Sequence, residues 1–209
     1  MAEPTRSASA ATGSPATIRA IAALGNPGRK YADTRHNVGW MVIDALTART
    51  GVGWQQKFNG EFARLRLGTQ DVSVLKPGTF MNLSGHPVQA MAAFYGYAPG
   101  ELLVLHDDLD LPFGRVQVKL GGGHGGHNGL RSITAQIGPD FARIRIGIGR
   151  PAAGNAKQAD VADYVLSPFA GDERAWLPDL IGKATTALEA VVSQGVRAAM
   201  NACNGAAPK

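Results

Sequence analysis

Short apolar runs alternating with amphipathic stretches make up most of this 209-residue chain. Two runs, residues 17–24 (TIRAIAAL) and 101–106 (ELLVLH), are brief and almost wholly apolar, which predicts strands buried in a sheet. Alternating apolar and polar positions predict four more strands: 62–67 and 72–75, joined as a hairpin by a Gly-Thr-Gln-Asp turn, and then 115–120 and 143–149.

Three stretches place their apolar residues at the spacing of an amphipathic helix. They are residues 38–50, 87–97 and 172–200, and the potential N-caps Asn37 and Ser84 precede the first two. The predicted inner face of the third helix consists of Trp176, Leu180, Ala187 and Val191. Strands separated by helices predict an α/β fold, a single three-layer domain with a mixed, mainly parallel twisted sheet flanked by helices.

We expect one domain over residues 17–203. Residues 1–16 are small, polar and proline-bearing, which favours a flexible N-terminal tail, and residues 204–209 are expected to form a short C-terminal tail. Hydrophobic residues make up 44% of the chain and charged residues 18%, as in ordinary globular proteins. A chain of this length can bury a sizeable single core. The sequence contains no internal repeat and gives no indication of a second domain.

A glycine-rich loop, residues 121–129 (GGGHGGHNG), is the most unusual stretch of the sequence. Glycine loses the most backbone freedom on folding, so this run predicts a loop that turns through positive φ or approaches another group closely. It carries His124, His127 and Asn128, and the carboxylates of residues 107–110 precede it. The loop is either part of a functional site or a surface loop with two solvated histidines.

Positive charge is concentrated around this loop. Residues 111–150 hold six Lys or Arg and one Asp, so their net charge equals the +5 of the whole chain. This concentration favours a polyanionic partner.

The remaining composition excludes several classes of protein. The lone Cys203 rules out a disulfide framework and a thiolate metal site, and it fits a reducing cytoplasm. No apolar run approaches the ~18 residues of a membrane span. The N-terminal residues lack the apolar core of a secretory signal, so we expect a cytoplasmic protein.

Candidate functional residues lie at predicted strand ends and helix starts. Asn26 follows the first strand, at the sheet edge where open α/β sheets bind ligands. His36 directly precedes a helix, whose positive end lowers the pKa of an imidazole and keeps it neutral, as a general base requires. Taken alone, Asn26 also fits a turn former, and His36 a partly exposed histidine near a cap. Phe80 and Met81 are either core residues or a stacking surface for a nucleotide.

Three kinds of chemistry are compatible with these residues. Metal-dependent hydrolysis could use the histidine and aspartates of residues 106–110 with the loop histidines, but no H-E-x-x-H or comparable spacing is present. Nucleophilic catalysis has no G-x-S-x-G motif to support it. The third is a histidine general base that activates water, oriented by a carboxylate such as Asp107, with asparagine side chains stabilising the oxyanion.

Four sequence blocks occur together in an order that resembles the bacterial peptidyl-tRNA hydrolases. They are LGNPGRKYADTRHNVGWMVIDAL, KPGTFMNLSG, HDDLDLPFGRVQVKLGGGHGGHNGLRSI and FARIRIGIGRP, followed by DYVLSPF. The resemblance covers nearly the whole chain, from about residue 18 to the final helix. It implies a single α/β domain that hydrolyses the ester between a peptide and the tRNA 3′ end, recycling tRNA from aborted translation.

The resemblance also implies a role for each matching residue. His36 is the implied catalytic base, Asp107 the residue that holds its tautomer, and Asn26 the residue that reads the peptide side and helps exclude free-amine aminoacyl-tRNA. The implied substrate contacts are Tyr31, Phe80, Met81, Asn82, His127 and Asn128 around the peptidyl-adenosine, and Lys119, Arg143 and Arg145 at the tRNA phosphates. Arg145 could instead brace its strand through an ion pair.

Further expectations concern cofactors and partners. The resemblance implies no metal, no organic cofactor, no membrane and no obligate protein partner, and a cytoplasmic monomer that binds peptidyl-tRNA. Two positions depart from the family pattern: Ala23 stands where glycine is common, and Gln117 where some relatives carry a second phosphate-binding lysine. The alternative function is that of a non-catalytic RNA-binding relative with the same fold, which the complete catalytic set argues against.

Overall fold

One seven-stranded sheet crosses the part of the chain that the structure, a computed structural model, describes: residues 17–151 and 158–205. In chain order its strands are β1 (Ala20–Ala23), β2 (Gln55–Lys57), β3 (Gly60–Leu67), β4 (Gln70–Pro77), β5 (Leu102–Asp108), β6 (Val116–Leu120) and β7 (Ala142–Gly147). Their order across the sheet is β2-β3-β4-β1-β5-β7-β6.

The four central strands of this sheet are parallel. β1 pairs in parallel with β4 and with β5, and β5 pairs in parallel with β7. β3 is antiparallel to β4 and to the edge strand β2, and the opposite edge strand β6 is antiparallel to β7. The carboxyl ends of β4, β1, β5 and β7 therefore meet at one edge of the sheet, and the predicted mixed, mainly parallel sheet is confirmed.

Helices cover both faces of the sheet. They are α1 (Val38–Ala48), α2 (Gly85–Tyr95), α3 (Asn128–Ile137), α4 (Gln158–Val165), α5 (Gly171–Gln194) and α6 (Val196–Asn204). Buried side chains of α1, α5 and α6 pack with one face of the sheet into a first core. Those of α2 and α3 form a second core with the opposite face, which confirms the three-layer α/β architecture.

The strands that the sequence predicted are all present, with shifted ends. β5 extends to Asp108, so Asp107 lies within the strand rather than after it. β4 ends at Pro77, as expected for a residue that cannot donate a hydrogen bond to a ladder. Strand β2 was not predicted, because its sequence, Gln-Gln-Lys, has no apolar alternation.

The C-terminal helix prediction needs correction. Residues 172–200 are not one helix, because Gly195 adopts a positive φ of 88° and separates α5 from α6. Trp176 does not belong to the inner face: it is 66% exposed, whereas Leu180 is 1% exposed. Ala187 and Val191 are buried, as predicted. α4 was not predicted.

Neither predicted N-cap residue uses its side chain as a cap. Asn37 precedes α1, but its amide hydrogen-bonds with the backbone of Asn26 instead. The Ser84 hydroxyl points at the sulfur of Met81, 4.0 Å away, and accepts no hydrogen bond from the first backbone N–H groups of α2. In both places the side chain forms a tertiary contact instead of capping the helix.

The predicted tails fall mostly outside the described residues. Residues 1–16 and 206–209 are not among the described residues. Asn204, assigned to the tail, instead ends α6 and pairs through its amide with the backbone of Val118, at 2.9 and 2.8 Å. Among the described helices, none combines the length and apolar character that crossing a membrane requires.

Two substitutions on α5 test its assigned inner face. Leu180→Ala should lower the free energy of unfolding by about 2–5 kcal/mol, because it removes a buried side chain and leaves a cavity. Trp176→Ala, one turn earlier on the same helix, should change it by less than about 0.5 kcal/mol, since the indole is exposed. Urea unfolding of both variants measures the difference, and equal losses would contradict the assigned orientation of α5.

Candidate active site

A cavity of about 960 Å³ opens at the edge where the parallel strands end. The twelve residues proposed for the site from the sequence all line it: Asn26, Tyr31, His36, Phe80, Met81, Asn82, Asp107, Lys119, His127, Asn128, Arg143 and Arg145. The fold thus brings together side chains that are up to 119 residues apart in sequence.

Three parallel strands position the floor of this cavity. Asn26 follows β1, and the Phe80–Asn82 segment follows β4. Asp107 lies at the end of β5, which is hydrogen-bonded to β1. His36 sits in a short 3-10 turn, Arg35–Asn37, immediately before α1. The glycine-rich loop brings His127 and Asn128 to the same place at the start of α3.

His36 and Asp107 form a buried hydrogen-bonded pair. The Nδ1 atom of His36 lies 2.8 Å from Asp107 Oδ1 and 3.0 Å from Oδ2. An ionised carboxylate can only accept, so Nδ1 carries the proton and Nε2 of the neutral ring keeps its lone pair. This is the tautomer that a general base requires.

Electrostatics in this pair favour a negative Asp107. Burial alone would raise the pKa of the Asp107 carboxyl, but the positive charge that His36 and His127 can carry, and their hydrogen bonds, hold it well below its usual range. Burial lowers the pKa of His36, yet the charge of Asp107 and its hydrogen bond outweigh burial, and the net pKa lies above 6.5. The prediction that the helix end lowers this pKa is therefore wrong.

His127 connects the same carboxylate to the backbone of α3. Its Nδ1 accepts hydrogen bonds from the N–H groups of Gly129 and Leu130, at 3.1 and 3.3 Å, and so caps the helix. Its Nε2 lies 2.9 Å from Asp107 Oδ1. Because Nδ1 must accept, Nε2 carries the single proton and donates it to Asp107. These contacts hold the His127 ring in a fixed orientation beside Asp107.

His106 is a third imidazole of the site, one that sequence reasoning considered only as a metal ligand. It is buried, and its Nδ1 donates to the carbonyl oxygen of Asp107 at 2.7 Å. Burial and the neighbouring His127 lower the pKa of His106 to about 3. A neutral imidazole therefore packs beneath the pair without adding positive charge.

Asn26 is fixed by two loops at once. Its backbone N–H and C=O pair with the side-chain amide of Asn37, at 2.8 and 3.0 Å. Its own Oδ1 accepts from the backbone N–H of Met81 at 2.8 Å. That contact settles the orientation of the amide, so the Nδ2 group of Asn26 is left to donate into the cavity.

Arg143 has a different role from the one predicted. It is only 2% exposed, and its guanidinium donates to the carbonyl oxygens of Gly122 and Gly123, the latter at 2.6 Å. Gly122 has a φ of 99°, a conformation that side-chain-bearing residues rarely adopt. Arg143 therefore holds the glycine-rich loop in place and is a poor candidate for a phosphate contact.

Arg145 and Lys119 differ in their contacts with the rest of the protein. Arg145 forms a 2.7 Å ion pair with Asp108 and donates to Gln117 Oε1 at 2.9 Å, so the structural role considered for it is present. Lys119 is exposed at the cavity. Gln117 thus helps to orient Arg145.

One wall of the cavity was missed in the sequence. It is formed by four residues of α4 and the turn after it: Val161, Ala162, Val165 and Leu166. Arg35 anchors the end of this wall by donating to Ser167 Oγ at 2.5 Å, to Pro168 O at 2.8 Å and to Glu173 at 2.5 Å. The residue next to His36 therefore links the α4 wall to the segment that carries His36, and no local sequence pattern predicts that contact.

The metal ligands considered from the sequence do not come together as a set. Asp108 is paired with Arg145 and Asp110 with Arg150. Among the described residues, His36, Asp107 and His127 do bring one potential ligand atom each within 4.8 Å of one another. An ion between them would have to replace the two protons that now join the imidazoles to Asp107, so these residues fit a hydrogen-bonded triad better than a metal centre.

Similarity to known proteins agrees with this geometry. A family model described as peptidyl-tRNA hydrolase matches residues 20–209. A peptidyl-tRNA hydrolase of Sorangium cellulosum (strain So ce56) is 51% identical over 186 residues, which cover 88% of this chain and 82% of the relative. One from Nocardia farcinica (strain IFM 10152) is 46% identical over 184 residues, covering 87% of this chain and 93% of the relative.

A solved structure extends the similarity to three dimensions. The crystal structure of peptidyl-tRNA hydrolase from Acinetobacter baumannii at 1.00 Å resolution matches with a TM-score of 0.86 and 39% identity, over 94% of this chain and 100% of that one. A family match over nearly the whole sequence, close relatives and a shared fold lead to one conclusion: the chain belongs to the peptidyl-tRNA hydrolase family.

Proposed function

We propose that this chain hydrolyses the ester bond between the peptide and the tRNA 3′ end of peptidyl-tRNA, with His36 as the general base. Membership of the family supports the reaction. The observation that supports the role of His36 is its hydrogen bond to buried Asp107, which leaves Nε2 unprotonated beside the Asn26 amide in one cavity. Recycling of tRNA from aborted translation follows from that reaction.

The proposed reaction has two proton transfers at one nitrogen. His36 Nε2 removes a proton from water as the oxygen attacks the ester carbonyl carbon, and the resulting imidazolium is stabilised by Asp107. The carbonyl oxygen becomes an oxyanion, to which amide N–H groups in the cavity can donate. When the intermediate collapses, the bond to the ribose oxygen breaks and His36 returns the proton to that leaving oxygen.

Asn26 accounts for a preference for peptidyl-tRNA, whose amino group is acylated, over aminoacyl-tRNA with a free amine. Its Nδ2 group can donate to a peptide carbonyl, but it cannot accept a hydrogen bond from a free ammonium group. Aminoacyl-tRNA would place such a donor where an acceptor is needed, leaving buried polar groups unpaired. We therefore assign Asn26 to the peptide side of the substrate.

The tRNA side is assigned to basic residues around the cavity. Exposed Lys119 and Arg131 and half-buried Arg145 line it, and phosphate contacts supply much of the affinity for nucleic acids. The rings of Tyr31 and Phe80 meet edge-to-face, with centroids 6.3 Å apart. Phe80 is 54% exposed, so it can stack against the terminal adenine.

We further propose a cytoplasmic monomer that works without a metal or an organic cofactor. The Nδ1 atom of His127 accepts hydrogen bonds from two backbone N–H groups, and the imidazole protons directed at Asp107 occupy the positions that a cation would need. The lone Cys203 fits a reducing compartment.

The proposed base is tested by His36→Ala. Turnover of N-acetyl-aminoacyl-tRNA should fall by about 10²–10⁴-fold, the usual worth of a general base, while tRNA affinity is retained. A wild-type protein that binds tRNA but releases no peptide would instead identify a non-catalytic RNA-binding relative. Near-normal turnover in the variant would exclude His36 as the base.

The pH profile tests the partnership of His36 with Asp107. Since only neutral His36 can act as a base, kcat/KM should fall as pH drops through its raised pKa, with the midpoint of that limb above 6.5. Asp107→Asn removes the charge that raises this pKa, so the limb should move to lower pH while the plateau of kcat drops. A limb at the same pH in both proteins would show that another group titrates.

The salt dependence of binding separates phosphate contacts from structural ones. Lys119→Ala should raise KM more than it lowers kcat, and should reduce the log–log salt slope by about 0.7–0.9 units. Arg145→Ala should do the same and also lower the melting temperature, because it leaves Asp108 unpaired. Arg66→Ala, which removes an exposed charge on β3, is the matched control. A lower melting temperature with an unchanged slope would leave Arg145 only its structural role.

A further inference from the structure

Trp40, near the start of α1, contacts the backbone that leads into Asn26 and has no part in the mechanism above. Its indole Nε1–H donates to the carbonyl oxygen of Ala23 at 3.0 Å. The same ring packs so closely against Gly25 that a Cβ atom there would lie 2.7 Å from Cγ and Cδ2 and 2.8 Å from Cδ1. One side chain therefore contacts the chain at two points within three residues of Asn26.

The hydrogen bond to Ala23 replaces one that the sheet cannot form. β1 pairs in parallel with β4, and in this ladder the N–H of Ser73 donates to the carbonyl oxygen of Arg19 at 2.9 Å. Four residues further on, the corresponding donor to Ala23 would be Pro77, which has no N–H. The indole N–H thus satisfies a buried carbonyl group that β4 leaves unpaired.

The indole, rather than the backbone, explains why position 25 holds a glycine. Gly25 is not among the glycines with a positive φ, so its conformation is open to other residues. The obstacle to a side chain is the ring, because real Cβ atoms essentially never approach another atom more closely than 3.0 Å. Gly25 and Trp40 therefore form a matched pair, in which the absent side chain of one makes room for the ring of the other.

Asn26 depends on this pair for its position. Asn37, which precedes α1, pairs through its amide with the N–H and C=O of Asn26, at 2.8 and 3.0 Å. Trp40 fixes the residues just before it. With both contacts in place, Asn26 Oδ1 accepts a hydrogen bond from the N–H of Met81 at 2.8 Å, which leaves its Nδ2 group for the substrate. A shift of the turn would misplace that group.

We infer that Trp40 is a positioning residue that sets the orientation of Asn26 through the backbone of Ala23 and Gly25, and so controls the preference for an acylated amine. The inference rests on the proposed function, in which Asn26 reads the peptide side of the substrate. Misplacing a substrate-positioning group by about 1 Å can cost about 10²-fold in rate, so we expect about tenfold from a smaller shift.

A buried lysine provides the indole with a further contact. The Nζ atom of Lys76 lies 5.6 Å from the centroid of the Trp40 ring and 4.4 Å from that of the Trp54 ring. Asp44 and Glu61 hold this ammonium group, at 2.7 and 2.5 Å. The two tryptophans therefore share one cation, although Trp40 is the one that packs against the turn after β1.

The test is the ratio of kcat/KM for N-acetyl-aminoacyl-tRNA to kcat/KM for the same aminoacyl-tRNA with a free amine. In Trp40→Ala this ratio should fall by about tenfold, while tRNA affinity and the pH limb assigned to His36 stay unchanged. Trp40→Phe keeps a ring against Gly25 but lacks the N–H, so its ratio should fall by less. An unchanged ratio in Trp40→Ala would overturn the inference.

Trp54→Ala is the matched control. It removes an indole from the same lysine, and among the described residues Trp54 has no hydrogen bond to residues 23–26, so the ratio should keep its wild-type value. An equal fall in Trp54→Ala and Trp40→Ala would assign the effect to the lysine or to general loosening, and would overturn the role of Trp40.

A double-mutant cycle tests the matched pair. Gly25→Ala alone should lower the ratio by about tenfold, because the new Cβ atom collides with the indole and displaces the turn. In a Trp40→Ala background the same substitution should cost nothing further, since the ring is gone. Losses that multiply in the double variant would show that the two residues act independently, against the inference.

Hydrogen exchange gives a readout that does not require turnover. The N–H of Met81 donates to Asn26 Oδ1 and so reports the position of Asn26. In Trp40→Ala it should exchange about tenfold faster, whereas the N–H of Val104, within β5, should keep its rate. Unchanged protection at Met81, or an equal acceleration at both sites, would overturn the inference. Wild-type protein that releases no N-acetyl amino acid would instead contradict the proposed function.

Discussion

The carboxylate of Asp107 is the group on which the rest of the site depends. Its Oδ1 accepts hydrogen bonds from His36 on one side and His127 on the other, at 2.8 and 2.9 Å. Burying an unpaired carboxylate is strongly unfavourable, and these two imidazoles make it tolerable. The same contacts fix a tautomer on each ring, so the charge of Asp107 simultaneously orients the proposed base and anchors the first turn of α3.

The loops around the cavity, as well as the sheet, hold this carboxylate in position. Arg143 donates hydrogen bonds to carbonyl groups of the glycine-rich loop, and His127, at the far end of that loop, caps α3. Arg35 ties the neighbouring α4 wall to the segment of His36. One charged or aromatic side chain thus holds each loop at a defined point. Between these points the backbone of the glycine-rich loop can adopt positive φ values.

The sequence predicted the layers of the fold and twelve residues that line the cavity, because both depend on local patterns and on strand ends. It failed where the answer depends on a distant neighbour. Arg143 lies on an alternating basic strand, and only the sheet shows that it is buried. The raised pKa of His36 follows from Asp107, 71 residues away, rather than from the adjacent helix. Trp176 matched the helical period of the buried Leu180, Ala187 and Val191, but its own indole is exposed to solvent.

Strand β2 was not predicted because its residues, Gln55, Gln56 and Lys57, show no alternation of apolar and polar positions. The same composition has a consequence for the behaviour of the protein at high concentration. An exposed sheet edge offers unpaired backbone groups to any passing strand, and an apolar edge would invite copies of the chain to join sheet to sheet. A short edge that bears polar amides and a lysine resists that association.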